Sequence, residues 1–173
     1  MQLQHLPRTA TADDVAAHVR EHGYAVIDEL APPELVDRIE REVEPYLAVT
    51  PFGEIEELGL LTRRTSALVA RVPPVRELIL DELFLGVMKN VLSHSENLQL
   101  SLTEIVALSP GAKAQFLHQD QLLFDGYPFL PDYEVYCNSL WALSDYTEEM
   151  GECAGCRWRK GADLHRQSID SAR

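Results

Sequence analysis

The sequence predicts an α+β domain, mainly β in its second half and flanked by helices, and three observations carry that prediction. Apolar residues recur at helical spacing through the first half, switch to alternate positions near residue 98, and are then punctuated by turns rich in proline and glycine. With 46% hydrophobic residues in 173, the chain can bury one sizeable core, so a single domain over residues 1–173 is expected.

Taken in order, Thr11 followed by Ala12, Asp13 and Asp14 reads as a helix start, with a capping hydroxyl and acids suited to the positive end of the helix dipole. Gly23 ends that helix. Tyr24 to Leu30 predicts a short strand, after which Pro32-Pro33 opens a second helix with an apolar stripe of Leu35, Val36, Ile39, Val43 and Leu47. A looser segment from Thr50 to Thr65 comes next, and Pro73-Pro74 precede a helical stretch from Val75 to Leu92. Leu98, Leu100 and Leu102 alternate with polar residues, the period of a half-buried strand, and Ser109-Pro110-Gly111 supplies a turn. Ala114 to Leu123 and Val135 to Leu143 are further strand candidates, separated by a loop containing Gly126, Pro128 and Pro131. A helical part over about residues 10–95, a strand-rich part over 96–151 and a tail over 152–173 result, without internal repeats.

Charge and leader signals narrow the partners. Fifteen basic against 28 acidic residues leave a net charge of −13, which repels phosphate backbones and anionic lipid surfaces, so neither nucleic acid nor membrane is an expected partner. The first residues lack a basic start and an apolar run of signal-peptide length, and no long apolar stretch occurs anywhere, so a cytoplasmic protein is expected. Cys137, Cys153 and Cys156 are an odd number with two crowded together, unlike a secreted disulfide framework; reduced thiols are expected.

His118-Gln119-Asp120 is the most informative tripeptide. In an extended strand residues i and i+2 project to one face, so imidazole and carboxylate would converge. With a second histidine from a distant strand they make the facial triad that holds iron(II) and leaves positions open for small ligands. An H-x-D tripeptide alone is common, and its ordinary meaning is a polar strand end bonded to its neighbours. Two other patterns compete. His18-Val19-Arg20-Glu21-His22 matches a zinc-peptidase motif with both histidines on one helical face, but Gly23 threatens the last turn and no third ligand can be named. Cys153 and Cys156 form a lone C-x-x-C, which without a second pair is read as incidental thiols. Phosphate-cradling glycine loops and G-x-S-x-G are absent from the sequence.

The stretch from Ser109 to Gly151 resembles the phytanoyl-CoA dioxygenase family of iron(II)- and 2-oxoglutarate-dependent oxygenases. Pro110-Gly111 stands before His118 and Asp120, the strand-like Leu140-Trp141-Ala142-Leu143 comes after them, and Thr147-Glu148-Glu149 is similar to the family's acidic turn. Gly23 to Asp28 and the helix opened by Pro32-Pro33 resemble the family's first strand and helix, so the likeness covers about residues 10–151. It implies a double-stranded β-helix, a cupin-like jelly roll with helices outside it. It further implies Fe(II) as metal, 2-oxoglutarate and dioxygen as co-substrates, and hydroxylation of a small or medium organic substrate. His118 and Asp120 would hold iron, and Gln115 and Trp141, on flanking strands, would line the co-substrate pocket. Both also have plainer readings, Trp141 as core packing and Gln115 as a solvent-facing amide.

Beyond Gly151 the sequence departs from the family. The segment resembling N-G-x(5)-P-G-S-H, which carries the second metal histidine, is replaced by one that begins Glu152-Cys153-Ala154-Gly155-Cys156-Arg157. His165, the one histidine after the acidic turn, stands fourteen residues past Gly151, further than the family spacing. Composition shifts there too, from net −15 over residues 1–151 to net +2 over 152–173. The expectation is a jelly roll incomplete at its carboxy-terminal end through a replaced segment. Two functions stay open: a dioxygenase, or a non-catalytic relative with an incomplete metal site.

Overall fold

The computed structural model describes residues 3–56, 58–113, 115, 120, 124, 128 and 133–144. Helix α1 (Ala12–His22) starts where the sequence places it, with Thr11 Oγ1 accepting from the Asp14 amide at 3.2 Å while Asp14 Oδ2 accepts from the Thr11 amide at 3.1 Å. It ends at Gly23, whose φ of 81° is the left-handed conformation that glycine adopts without strain. The chain then pairs β2 (Val26–Ile27) in parallel with β1 (His5–Leu6), so α1 is the crossover of a small β-α-β unit. The expected strand over Tyr24–Leu30 shrinks to two residues, because Glu29 takes a positive φ of 53° and turns the chain out of any ladder.

Helix α2 (Pro33–Val49) has Pro33 in its first turn, where a missing N–H costs nothing, and buries Leu35, Ile39 and Val43 at i, i+4, i+8. That stripe meets Leu68 of α3 (Leu68–Arg71), Val72, and Val75 and Leu78 of α4 (Val75–Ile79), forming the main core cluster. Ile105, Trp141 and Leu143 pack against it from later in the chain. Helix α5 (Glu82–Val91) packs instead on α1, where Val15 and Ala16 are buried. Gly86 permits this approach: a Cβ there would lie 2.8 Å from Ala12 Cβ.

The expected helix over Val75–Leu92 is two helices. The break falls at Leu80-Asp81, where the Asp81 carboxylate accepts from the Phe84 amide at 2.9 Å and caps α5. Strand β3 (Thr62–Ser66) pairs antiparallel with β4 (Glu104–Leu108), in register from Thr62 opposite Leu108 to Ser66 opposite Glu104. Neither strand was legible from alternation. β3 reads Thr-Arg-Arg-Thr-Ser and is held by a half-buried ion pair, Arg64 Nη1 to Glu104 Oε2 at 2.9 Å, with Ser66 Oγ donating to Glu104 Oε1 at 2.9 Å. The alternating segment Leu98–Thr103 is not a strand, and Leu98, Leu100 and Leu102 are exposed. Alternation needs a partner edge, and the edge of β3 is taken by residues 104–108.

Val135–Leu143 makes no ladder among the described residues, and most of Ala114–Leu123 lies outside them. The described part is therefore mixed α+β with helix predominating, and its two sheets have two strands each. No described helix is long and apolar enough to cross a membrane.

Gly86→Ala tests the α1–α5 contact. In an isolated helix alanine gains about 1 kcal/mol over glycine, whereas inserting a methyl into a closed contact costs about 1–3 kcal/mol. We expect thermal unfolding at a lower temperature than wild type; an increase would show that the helices separate freely.

Candidate metal centre

Asp120 is half-buried, and its Oδ2 accepts a hydrogen bond from Asn138 Nδ2. It sits in a 3₁₀ turn, so the same-face argument for residues 118 and 120, which requires extended chain at both, does not transfer from the sequence. His118 lies outside the described residues. Gln115 is exposed, whereas Trp141 is half-buried against the main core, its ring edge-to-face with Phe84 at a centroid distance of 6.1 Å.

Segment 133–144 is what brings a partner to Asp120. Phe124 and Tyr136 stack at 5.8 Å, and Asp120 meets Asn138, so advancing along one segment retreats along the other. The two run side by side in opposite senses. Tyr133 lies against His94 at 3.8 Å, and Trp141 and Leu143 reach the core, which ties the segment down on both sides of Asn138. Asn138 is the site residue that sequence reasoning missed, since nothing in one sequence marks an amide within an apolar stretch as a carboxylate's partner. Cys137 beside it is free, and burial, then the nearby Glu134 carboxylate, pushes its thiol up to about 11, so it is protonated and unreactive at neutral pH.

Among the described residues no group of three or more His, Cys, Asp and Glu side chains could hold a metal ion. This bears on the zinc-peptidase pattern. His18 and His22 do share a face of α1, with ring centroids 4.3 Å apart, but no third ligand joins them among the described residues. Instead His18 is buried edge-to-face against Tyr24, at 5.6 Å, with its Nε2 lacking a hydrogen-bond partner. Cys153, Cys156 and His165 lie outside the described residues. A cleft of about 380 Å³ is lined by Thr50, Phe52, Glu54, Ile55, Leu58 and Arg64, away from Asp120.

Helices followed by short strands, a histidine-x-aspartate tripeptide and an aspartate held by an amide are features of the iron- and 2-oxoglutarate-dependent oxygenase class. The family model described as Phytanoyl-CoA dioxygenase (PhyH) matches residues 19–153, and the chain belongs to that family. The match ends within two residues of the place where the sequence departs from the family pattern. The chain is 31% identical over 163 residues to the multifunctional dioxygenase ausE of Aspergillus calidoustus, an alignment covering 87% of this chain and 53% of that protein. It is 32% identical over 159 residues to the multifunctional dioxygenase prhA of Penicillium brasilianum, covering 87% and 52%. To the iron/alpha-ketoglutarate-dependent dioxygenase penM of Penicillium thymicola it is 29% identical over 164 residues, again covering 87% and 52%. The chain thus spans about half the length of the curated relatives it matches.

The buried His18 generates a pH prediction. Burial, and then the neighbouring His22, lower its pKa from 6.5, with Glu21 opposing weakly. Its folded-state pKa is below the unfolded value, so the unfolded chain binds the proton more tightly. The stability contribution is therefore present above about pH 6.5 and is lost as pH falls through that value toward the lowered one. The melting temperature should drop between about pH 7.5 and about pH 5.5, and His18→Gln should flatten that slope. Asp14, held low by the Thr11 hydroxyl and amide, titrates below 3.8 and does not interfere.

Proposed function

We propose that this chain belongs to an Fe(II)- and 2-oxoglutarate-dependent dioxygenase that hydroxylates a small or medium organic substrate. The observation that carries the reading is family membership across residues 19–153, a span that includes His118-Gln119-Asp120. Relatives with printed names such as multifunctional dioxygenase and iron/alpha-ketoglutarate-dependent dioxygenase support the reaction type. On this reading the strand-rich part completes the family's jelly roll, and the described helices pack outside it.

The donor set fits iron(II). A neutral imidazole and a carboxylate are the ligand types of the facial triad, and the Asp120 carboxylate is already oriented by an amide donor. His118 and Asp120 would hold the metal, while Gln115 and Trp141 would line the side where 2-oxoglutarate enters. Trp141, seated on Phe84, can serve as a fixed apolar wall. When bound, iron(II) supplies the reducing power that lets dioxygen convert 2-oxoglutarate to succinate and carbon dioxide while the second oxygen atom enters a substrate C–H bond. The chain's own residues hold the metal, orient its carboxylate ligand and exclude water. Relatives' names do not prescribe a coenzyme A ester, since one scaffold serves many substrates.

A second reading is favoured by one observation, the lack of a family-spaced histidine after Gly151. On it the chain is a non-catalytic relative that binds a ligand or metal weakly through two groups.

Anaerobic addition of Fe(II) and 2-oxoglutarate to the purified chain separates the two. The dioxygenase reading expects the weak visible charge-transfer band of the ternary complex, abolished in His118→Ala and Asp120→Ala. Folded protein without the band points to the non-catalytic relative.

A further inference from the structure

We propose that Asn138 is a positioning residue for Asp120, fixing which carboxylate oxygen is presented to the metal; this rests on the reading of Asp120 as an iron ligand. An aspartate carboxylate rotates about its last bond and offers two equivalent oxygens. Donation from Asn138 Nδ2 to Oδ2 breaks that equivalence, occupying one oxygen and directing the lone pairs of Oδ1 elsewhere. The donor is neutral, which matters chemically. A lysine or arginine in the same place would share the carboxylate's charge and compete with a divalent cation, whereas an amide orients the group and leaves its full negative charge to the metal.

The position of Asn138 is itself determined by its neighbours. Two residues before it, Tyr136 packs on Phe124, and three residues after it, Trp141 packs on Phe84 and donates its Nε1–H to Ser139 Oγ at 3.1 Å. The amide is thus carried on a segment anchored on each side and placed alongside the turn that holds Asp120. Asn138 is exposed, and exposed hydrogen bonds contribute little to stability. A purely structural role would leave both metal affinity and melting temperature nearly unchanged on substitution, so the two roles differ in what they predict.

The test uses the full chain with Mn(II) as probe, its affinity read from the free-ion EPR signal, alongside thermal unfolding. Asn138→Leu keeps the volume without donors, Asn138→Ala removes the side chain, and Asn138→Gln keeps an amide. The expected result is Mn(II) affinity weakened about 10-fold to 100-fold in the Leu and Ala variants at unchanged melting temperature, with a substantial part recovered by Gln. Equal affinity in wild type and all three variants, with Asp120→Ala abolishing binding, overturns the role of Asn138 and leaves the iron reading standing. Affinity losses that track loss of fold in Leu and Ala, with Gln no better, also overturn it. Failure of the wild-type chain to bind Mn(II), or binding indifferent to Asp120→Ala, overturns the role together with the iron reading beneath it.

Discussion

Burial of the apolar stripe of α2 is the constraint on which the rest of this molecule depends. Leu35, Ile39 and Val43 have no water-free surface of their own, and the two short helices that cover them are each too short to persist alone. Their stability comes from the same contact. Once that cluster exists it offers a further patch, and Ile105, Trp141 and Leu143 close over it. This is how a helical core reaches the proposed metal centre: the residues that place Asn138 beside Asp120 are anchored by the α2 cluster and by α5, through Phe84. The α1–α5 contact stands apart, built on small residues and on the Asp13–Asn90–Arg20 hydrogen bonds, so the two helical units can be perturbed separately.

Electrostatics give the proposed chemistry an order. A chain of net charge −13 draws a divalent cation toward a carboxylate and repels a dianion such as 2-oxoglutarate. Until a cation is in place, the co-substrate meets an unfavourable field. Metal first, 2-oxoglutarate second, is the order that charge alone dictates, and it makes the orientation of Asp120 matter early, before any co-substrate contact can help organise the site. A neutral orienting group suits that sequence of events better than a cationic one.

What the sequence made legible was local and cooperative within one element. The α1 cap at Thr11, its stop at Gly23 and the stripe of α2 each depend on residues a few positions apart, and all stand as expected. Features set by distant partners were not legible. β3 owes its strand to a glutamate about forty residues away, and Leu98–Thr103 has the right alternation but no edge to join. Asp81 looked like one acid among many until the break before α5 gave its carboxylate an amide to cap. The site shows the same division. The tripeptide of residues 118–120 declares its chemistry by residue type, and Asp120 was named from it, yet Asn138 acquires meaning only through proximity across a loop.

Fold and activity are separable here for a physical reason. Every residue buried in the main cluster falls between Leu35 and Leu78, and the partly buried residues that complete it end at Leu143. That cluster, as described, draws on no residue from 152–173, where the family pattern is lost. A facial triad has the opposite requirement, because its third ligand must come from a different strand than the first two. The step from two ligands to three is the step from a weak chelate to a site that holds iron through turnover. Family membership is carried by the core and the tripeptide, and catalytic competence by whichever residue beyond Gly151 reaches the metal, so the helical core can stand intact whether or not the site is complete.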